Sequence, residues 1–304
     1  MSVKTLSKKH KPYSDLLSED EDPFSTNKVT GYSLNVPIIG TCQPTIVCAD
    51  TCYFAAGPST WTASLRKQHR LMNSIKADPR GVAERIVKSA RRKKMTFIRW
   101  NGGGDLFEES VACLDAVAVA MPDIPQWVVS RIPKIAAQVT PRKNVYLHFS
   151  VDRSSWARLE EFRGLAPAGL QWFWSYQCDK DEQPASGDIA PVIFRDGYDP
   201  KGSPLFGNDC PLNSNEDITN VCEGCRRCFN GGAVERAKEC RGLSTRRGTS
   251  SQETCTSESA KQLDLTFTST SAADRSCETR SESTDEITSS GRRSSKSRRQ
   301  RRPT

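Results

Sequence analysis

The sequence predicts an α/β fold built on a parallel sheet. Three observations predict it. Short runs in the middle of the chain are apolar on consecutive residues and rich in β-branched and aromatic side chains. Amphipathic helical stretches separate them, and the two kinds of segment alternate regularly. Strands of this composition are covered on both faces, as parallel strands are.

Residues 32–37 (YSLNVP) form the first expected strand and 95–100 (MTFIRW) the second; 126–130, 144–150, 170–177 and 190–195 follow. Two helical stretches, 62–75 and 80–94, lie between the first two strands. The second carries Val82, Ile86, Val87 and Ala90 at helical spacing and ends in Arg91-Arg92-Lys93-Lys94, which suits the negative end of a helix dipole. Residues 108–121 begin with acidic residues and are followed by Pro122. Cys113 falls among their apolar positions and reads as a buried cysteine. Helices over 133–139 and 154–162 complete the order β-α-α-β-α-β-α-β-α-β-β. Repeated βα units give right-handed crossovers, so the six strands make a doubly wound sheet or an incomplete barrel. In either, chemistry belongs at the C-terminal ends of the strands.

Composition divides the chain into one folded unit with extensions. Residues 31–229 hold all six tryptophans, and roughly 200 residues bury a sizeable core. The expected parts are a polar N-terminal extension (1–30), the α/β unit (31–209), a cysteine-rich extension (210–240) with one helical turn at 234–240, and a Ser/Thr/Arg-rich tail (241–304) with the composition of disorder. Of the net charge of +8, the tail contributes +5 through 13 basic and 8 acidic residues. The folded part is nearly balanced, so its composition does not make it a nucleic-acid binder. The basic arm Arg292, Arg293, Lys296, Arg298, Arg299, Arg301 and Arg302 is suited to nucleic-acid phosphates, or else is a solvated tail. Twelve cysteines without an apolar leader or a membrane-spanning stretch exclude a secreted disulfide scaffold and a membrane protein. They point to metal ligation in a cytoplasmic setting.

Two groups of cysteines carry that expectation. Cys42, Cys48 and Cys52 have the spacing C-x5-C-x3-C and follow the first strand, where a strand-end site belongs. Three thiolates are one short of a closed tetrahedral site. A [4Fe–4S] cluster held by three cysteines leaves one iron open, whereas zinc needs a fourth ligand, for which His69 is the nearest candidate. His69 lies between Lys67 and Arg70 in an expected helix and reads as a surface residue. The second group, Cys210, Cys222, Cys225 and Cys228, ends in C-x2-C-x2-C and makes a closed set, for which a cluster and zinc are both open. Cys178, Cys240, Cys255 and Cys277 stand outside both groups.

A third feature is Arg99-Trp100-Asn101-Gly102-Gly103-Gly104-Asp105 after the second strand. Three glycines allow a ligand close to the backbone, and Asp105 is either a ligand carboxylate or the N-cap of the next helix. Ser130-Arg131, Ser150, Asp152-Arg153 and Tyr176 occupy other strand ends, where the arginines suit an anionic ligand. There is no Ser/His/Asp set, HExxH or P-loop, and three histidines supply an ordinary hydrolase poorly.

The Cys42/Cys48/Cys52-Tyr53 loop, the run Phe97-Ile98-Arg99-Trp100 into Gly-Gly-Gly-Asp105-Leu-Phe107, and the closing Cys222/Cys225/Cys228-Phe229 resemble the phage "gene product 88" family, over about residues 31–230. That family looks related to three-Cys-motif phage proteins and, distantly, to radical S-adenosylmethionine enzymes. The resemblance implies a partial (βα)6 barrel of radical-SAM type with a C-terminal metal-binding extension. It also implies one or two [4Fe–4S] clusters, and S-adenosylmethionine against Gly102, Gly103, Gly104 and Asp105, with Tyr53 flanking the adenine. The spacing C-x5-C-x3-C departs from the C-x3-C-x2-C common in those enzymes. The expected function is a radical-SAM-like iron–sulfur enzyme with an electron donor, acting on a substrate for which nucleic acid is a candidate. The alternatives are a metal-stabilised nucleic-acid-binding protein and an iron–sulfur redox sensor.

Overall fold

The structure is a computed structural model and describes residues 3, 12–27, 30–179, 192–196, 210, 221–226, 228–229 and 233–234. The tail from 241, its basic arm, and the turn expected at 234–240 beyond Val234 lie outside the described residues.

Seven strands form one sheet in chain order: β1 (Ser25–Asn27), β2 (Gly31–Leu34), β3 (Ile98–Trp100), β4 (Gln126–Ser130), β5 (Val145–Asp152), β6 (Gln171–Asp179) and β7 (Val192–Asp196). β1 is antiparallel to β2, and every later pairing is parallel. The described helices are α1 (Ile46–Thr51), α2 (Thr62–Ala77), α3 (Pro79–Arg92), α4 (Glu108–Ala120), α5 (Pro133–Ala136), α6 (Trp156–Leu165) and α7 (Val221–Cys225), with a kinked helical turn at Ile38–Thr41. The mixed α/β class and the parallel core are therefore as expected. β1 was not anticipated. It is a three-residue polar edge strand, Ser-Thr-Asn, with no apolar alternation to announce it.

Register separates the two faces of the sheet. Trp100, Val128, Leu147 and Trp172 lie on neighbouring strands in one row, and Arg99, Trp127, Tyr146 and Gln171 in the adjacent row. The first row, with Leu34, Phe149, Val151, Trp174 and Ile193, joins Leu71, Ile75, Ile86, Val117 and Phe162 of the helices in the main core. Each such side chain contributes roughly 1.5–3 kcal/mol on burial. α3 shows why the chain folds this way: Asp78 accepts from Gly81 N at 2.9 Å, Pro79 opens the helix, and Val82, Ile86, Val87 and Ala90 are buried. The other row belongs to a second face, where Phe97, Trp127 and Phe229 form a separate cluster.

The N-terminal extension is less detached than its composition implies. Leu17 and Phe24 are buried in the main core. Glu21 pairs with Arg70 at 2.9 Å and Asp22 with Lys93 at 2.7 Å. Two apolar anchors in a polar segment suffice to pin it. His69 also departs from expectation: it is buried, with its ring edge-on to Tyr13 at 5.6 Å, because it lies on the inward face of α2. No described helix is long and apolar enough to cross a membrane.

Candidate functional site

The Gly-rich turn after β3 is packed by the chain itself. A Cβ on Gly102 would meet Asn35 Oδ1 at 2.5 Å, one on Gly103 the Phe54 ring at 2.2 Å, and one on Gly104 the Val36 carbonyl at 2.6 Å. Gly104 also has φ +84, in the left-handed region. Tyr53 Oη donates to the Gly102 carbonyl, and its ring is largely exposed. The glycines thus let β2, Phe54 and the β3 turn close on one another.

Asp105 is not the N-cap of α4; Phe107 is, with its backbone N donating to Ser110 Oγ at 2.9 Å. The Asp105 carboxylate instead accepts from Ser130 Oγ (2.7 Å), Leu106 N (2.7 Å) and Arg131 N (3.0 Å), while Thr41 Oγ1 accepts from Asp105 N. The side chain is buried, and burial raises its pKa to about 6 against these hydrogen bonds. Its carboxylate ties the β3 turn to the end of β4.

Arg131, directly after β4, is the hub of the strand-end rim. Its guanidinium donates to Asp152 Oδ2 at 2.7 Å, Ser150 Oγ at 3.1 Å and Gln177 Oε1 at 2.5 Å. Asp152 also accepts from Thr45 Oγ1 at 2.6 Å, and Gln177 Nε2 donates to Thr51 Oγ1 at 3.0 Å. Thr45 caps α1 by accepting from Cys48 N, and Thr51 ends that helix. The helix that carries Cys48 is therefore stapled at both ends to the C-terminal ends of β5 and β6. Burial alone would raise the Asp152 pKa; hydrogen bonds from Thr45, Ser154 and Arg131 outweigh it and hold the carboxyl below its ordinary value. A buried pair of this kind leaves an uncompensated charge if one partner goes, at about 3–5 kcal/mol.

Cys42, Cys48 and Cys52 are free and half-buried around this rim. Burial pushes the Cys42 thiol well up, and Asp105, Cys48 and Cys52 push it further. Cys48 is raised by burial, opposed by Arg131, and raised again by Cys52, Asp152 and Asp105. The three thiols thus share one electrostatic neighbourhood in which added negative charge is resisted, and a cationic centre relieves that. Among the described residues no group of three or more His, Cys, Asp or Glu side chains is gathered closely enough to hold a metal ion. The donor set fits an iron–sulfur cluster or zinc by its chemistry: soft thiols held mostly in the neutral form by burial and by one another, with Arg131 opposing at Cys48.

Of the second group, Cys222 and Cys228 pack against the cluster on the other face of the sheet, while Cys210 is buried in the main core. Cys210 N donates to the Ile193 carbonyl at 2.8 Å, beside β7. Phe229, directly after Cys228, is fully buried, stacks on Phe97 at 4.1 Å and packs on Trp127 at 5.7 Å. Burial drives the Cys228 thiol well up, followed by Cys210, Cys222 and Cys225, with Arg99 opposing. The four thiols therefore also share one neighbourhood. Arg99, whose guanidinium stands 4.6 Å over the Trp127 ring, and Arg226 each bury an Nε–H that has no partner among the described residues. A tetrathiolate centre carries the net negative charge that suits such donors.

His148 was not singled out by sequence. It lies in the row of Val129 and Phe173, stacked between Trp127 and Phe194. Trp127 Nε1 donates to His148 Nδ1 at 3.4 Å, so the ring proton is on Nε2 and faces Ser175 Oγ. Burial, then Arg99 and Arg131, lower its pKa to about 3. A neutral imidazole that donates to the serine does not activate that serine as a nucleophile. Tyr176 is not at the site: it points into the main core and stacks on Trp156 at 5.4 Å. Thr45, Thr51 and Gln177 are site residues that no sequence motif marked.

A family model described as gene product 88 matches residues 5–231. No curated protein and no solved structure matches the chain. The match starts well before residue 31, where the resemblance was expected to begin, and takes in the segment anchored by Leu17 and Phe24.

Proposed function

The chain belongs to the gene product 88 family, and within it we propose a cytoplasmic iron–sulfur protein that acts as a radical-SAM-like enzyme. One observation carries this reading. Three free cysteines share an electrostatic neighbourhood at the C-terminal rim of a parallel sheet, Cys48 on a helix stapled there by Thr45–Asp152 and Thr51–Gln177 and Cys52 at the end of that helix. The strands run side by side in chain order without the reversal that defines a doubly wound sheet. That order supports a sheet curled into a partial (βα)6 barrel.

A [4Fe–4S] cluster on Cys42, Cys48 and Cys52, when bound, supplies an iron with a free position and one-electron reducing chemistry. Around it the chain's own groups divide the work. Asp105, spent on Ser130 and Arg131, fixes the turn, whose glycines are filled by Asn35, Phe54 and Val36, and S-adenosylmethionine is left to the open iron and the exposed Tyr53 ring. Arg131 holds Asp152 and Gln177 and thereby the cysteine helix. An external electron donor is required, and the basic arm makes nucleic acid the first substrate class to test.

The second group supports a structural role, because Phe229 anchors it in an aromatic cluster and its four thiols make a closed set. Zinc and a second cluster both suit it. The test is anaerobic purification with iron, sulfide and zinc analysis, followed by reduction in the presence of S-adenosylmethionine. Iron, sulfide and formation of 5′-deoxyadenosine are expected. Iron and sulfide without that product favour a redox sensor, and zinc alone favours a metal-stabilised binding protein.

A further inference from the structure

Trp61 stands in the cap position of α2, where a serine, threonine, asparagine or aspartate would satisfy the free N–H groups, and its side chain makes no capping bond. Its ring is 65 % exposed and makes no hydrogen bond or ring contact among the described residues. Neither packing nor capping therefore accounts for a tryptophan at this position. Ile46, 79 % exposed, opens α1, and Tyr53 is exposed directly after Cys52. Of the six large apolar side chains left exposed among the described residues, these three fall on the one stretch between β2 and α2, at the cysteine rim. Such clustering marks an interaction surface, whereas scattered exposed side chains do not. The stretch is also held in shape. Ser59 Oγ donates to the Phe54 carbonyl at 2.8 Å and Gln68 Nε2 to the Ser59 carbonyl at 2.9 Å, which fixes the turn between Tyr53 and Trp61. Asp50 is the one charged residue from Gln43 to Leu65. Arginines stand around it: Arg158 donates to the Gln43 carbonyl at 2.6 Å, Arg99 to Tyr53 Oη at 3.5 Å, and Arg153 is exposed just after β5.

We propose that this stretch is a platform for single-stranded nucleic acid, with a base stacked on Trp61 and the backbone phosphates turned toward Arg153 and Arg158, which rests on the enzyme reading above and names the form of its substrate. Aromatic faces beside cations hold single strands without reading their sequence, because every base has a face to stack. A ring already fixed in place loses little freedom on binding. The unpaired form follows from access. Cys48 and Cys52 are half-buried beside the exposed Ile46 and Tyr53, so a base comes up to these thiols only when it is out of a duplex stack. The basic arm (292–302) adds attraction for any phosphate backbone, and the Trp61 platform adds the preference for an unpaired strand.

The test is fluorescence anisotropy of a labelled thymidine oligomer of about 12 nucleotides, alone and as its duplex with the complementary strand, titrated with the full chain at physiological salt. The single strand should bind about tenfold more tightly than the duplex, or better. Trp61→Ala should weaken single-strand binding about tenfold and leave duplex binding as it is. Trp61→Phe, which keeps a ring, should retain most of the affinity. Leu165→Ala, which trims an exposed apolar side chain at the far end of α6, should bind like the unaltered chain. Binding of this kind needs no cluster, so iron and sulfide analysis of the same preparation judges the enzyme reading separately. Equal affinity for the two forms overturns the proposal, as does failure to bind either. So does single-strand binding that survives Trp61→Ala, or that falls as far with Trp61→Phe or Leu165→Ala.

Discussion

Cys48 of the first group sits among polar side chains at a strand-end rim, whereas Cys222 and Cys228 of the second sit against aromatic rings on the sheet's second face. Cys48 rides a helix held by threonine, aspartate, glutamine and arginine, with Ile46 and Tyr53 exposed beside it. Cys228 is followed by Phe229, which is buried between Phe97 and Trp127. The difference separates two uses of the same ligand chemistry. Directional hydrogen bonds position a group while leaving it reachable, whereas aromatic burial holds a segment down and closes it. Arg99 lies between the two, donating to Tyr53 Oη at 3.5 Å and opposing the burial that raises the thiols of Cys222 and Cys228.

The largest effect should come from removing the aromatic anchor. Phe229→Ala should cost about 3–5 kcal/mol in denaturant unfolding, as large cavities in aromatic clusters do. A cost under about 1 kcal/mol would break the contrast, because the second group would then not depend on burial.

The second face should carry a pH sensitivity opposite in sign to that of the rim, where Asp105, raised to about 6, favours the fold as pH falls. His148 has a folded pKa of about 3 against an ordinary 6.5, so between those values the folded state binds fewer protons than the unfolded one. Its stabilisation is complete above pH 6.5 and is lost as pH falls, by about 1.4 kcal/mol per unit. His148 alone should cost roughly 2 kcal/mol from pH 6.5 to 5, offset in part by Asp105, so His148→Phe should raise stability at pH 5 relative to pH 6.5 compared with the unaltered chain. An unchanged slope would mean that His148 takes up its proton in the fold as readily as in the unfolded chain.

On the rim, Thr45→Val removes one helix cap and one bond to Asp152, and should cost about 1 kcal/mol. Amide exchange should speed up across residues 46–52 and stay constant at 221–229. Faster exchange in both would show that the two groups are not mechanically separate. The smallest effect belongs to Tyr53→Phe. The ring is 63 % exposed, and loss of its bond to the Gly102 carbonyl should move stability by only about 0.5 kcal/mol. Affinity for S-adenosylmethionine should barely change, since the ring and not the hydroxyl would flank the adenine.

What was legible in the sequence follows from which contacts are local. β4 has the expected limits of 126–130, because a run of Gln-Trp-Val-Val-Ser between turn residues admits little else. β5 and β6 run beyond expectation to Asp152 and Asp179 because register with a neighbour prolongs a strand past its apolar stretch. The cysteine spacing and the Gly-rich turn marked the rim. The staples did not show: Thr45 and Asp152 are 107 residues apart, and Thr51 and Gln177 are 126 apart. Asp105 was visible as a carboxylate after glycines, but its commitment to Ser130 and Arg131 depends on strand pairing that brings the β3 turn beside the end of β4.

The central claim is that Cys42, Cys48 and Cys52 hold a cluster at a reachable rim. The most direct test is iron and acid-labile sulfide counted on anaerobically prepared full chain and on Cys48→Ala, with thermal unfolding of both. The account predicts that Cys48→Ala loses about four irons and four sulfides per chain and keeps the unfolding midpoint of the apoprotein. Equal iron in the two proteins, or zinc without sulfide in the unaltered chain, would contradict it.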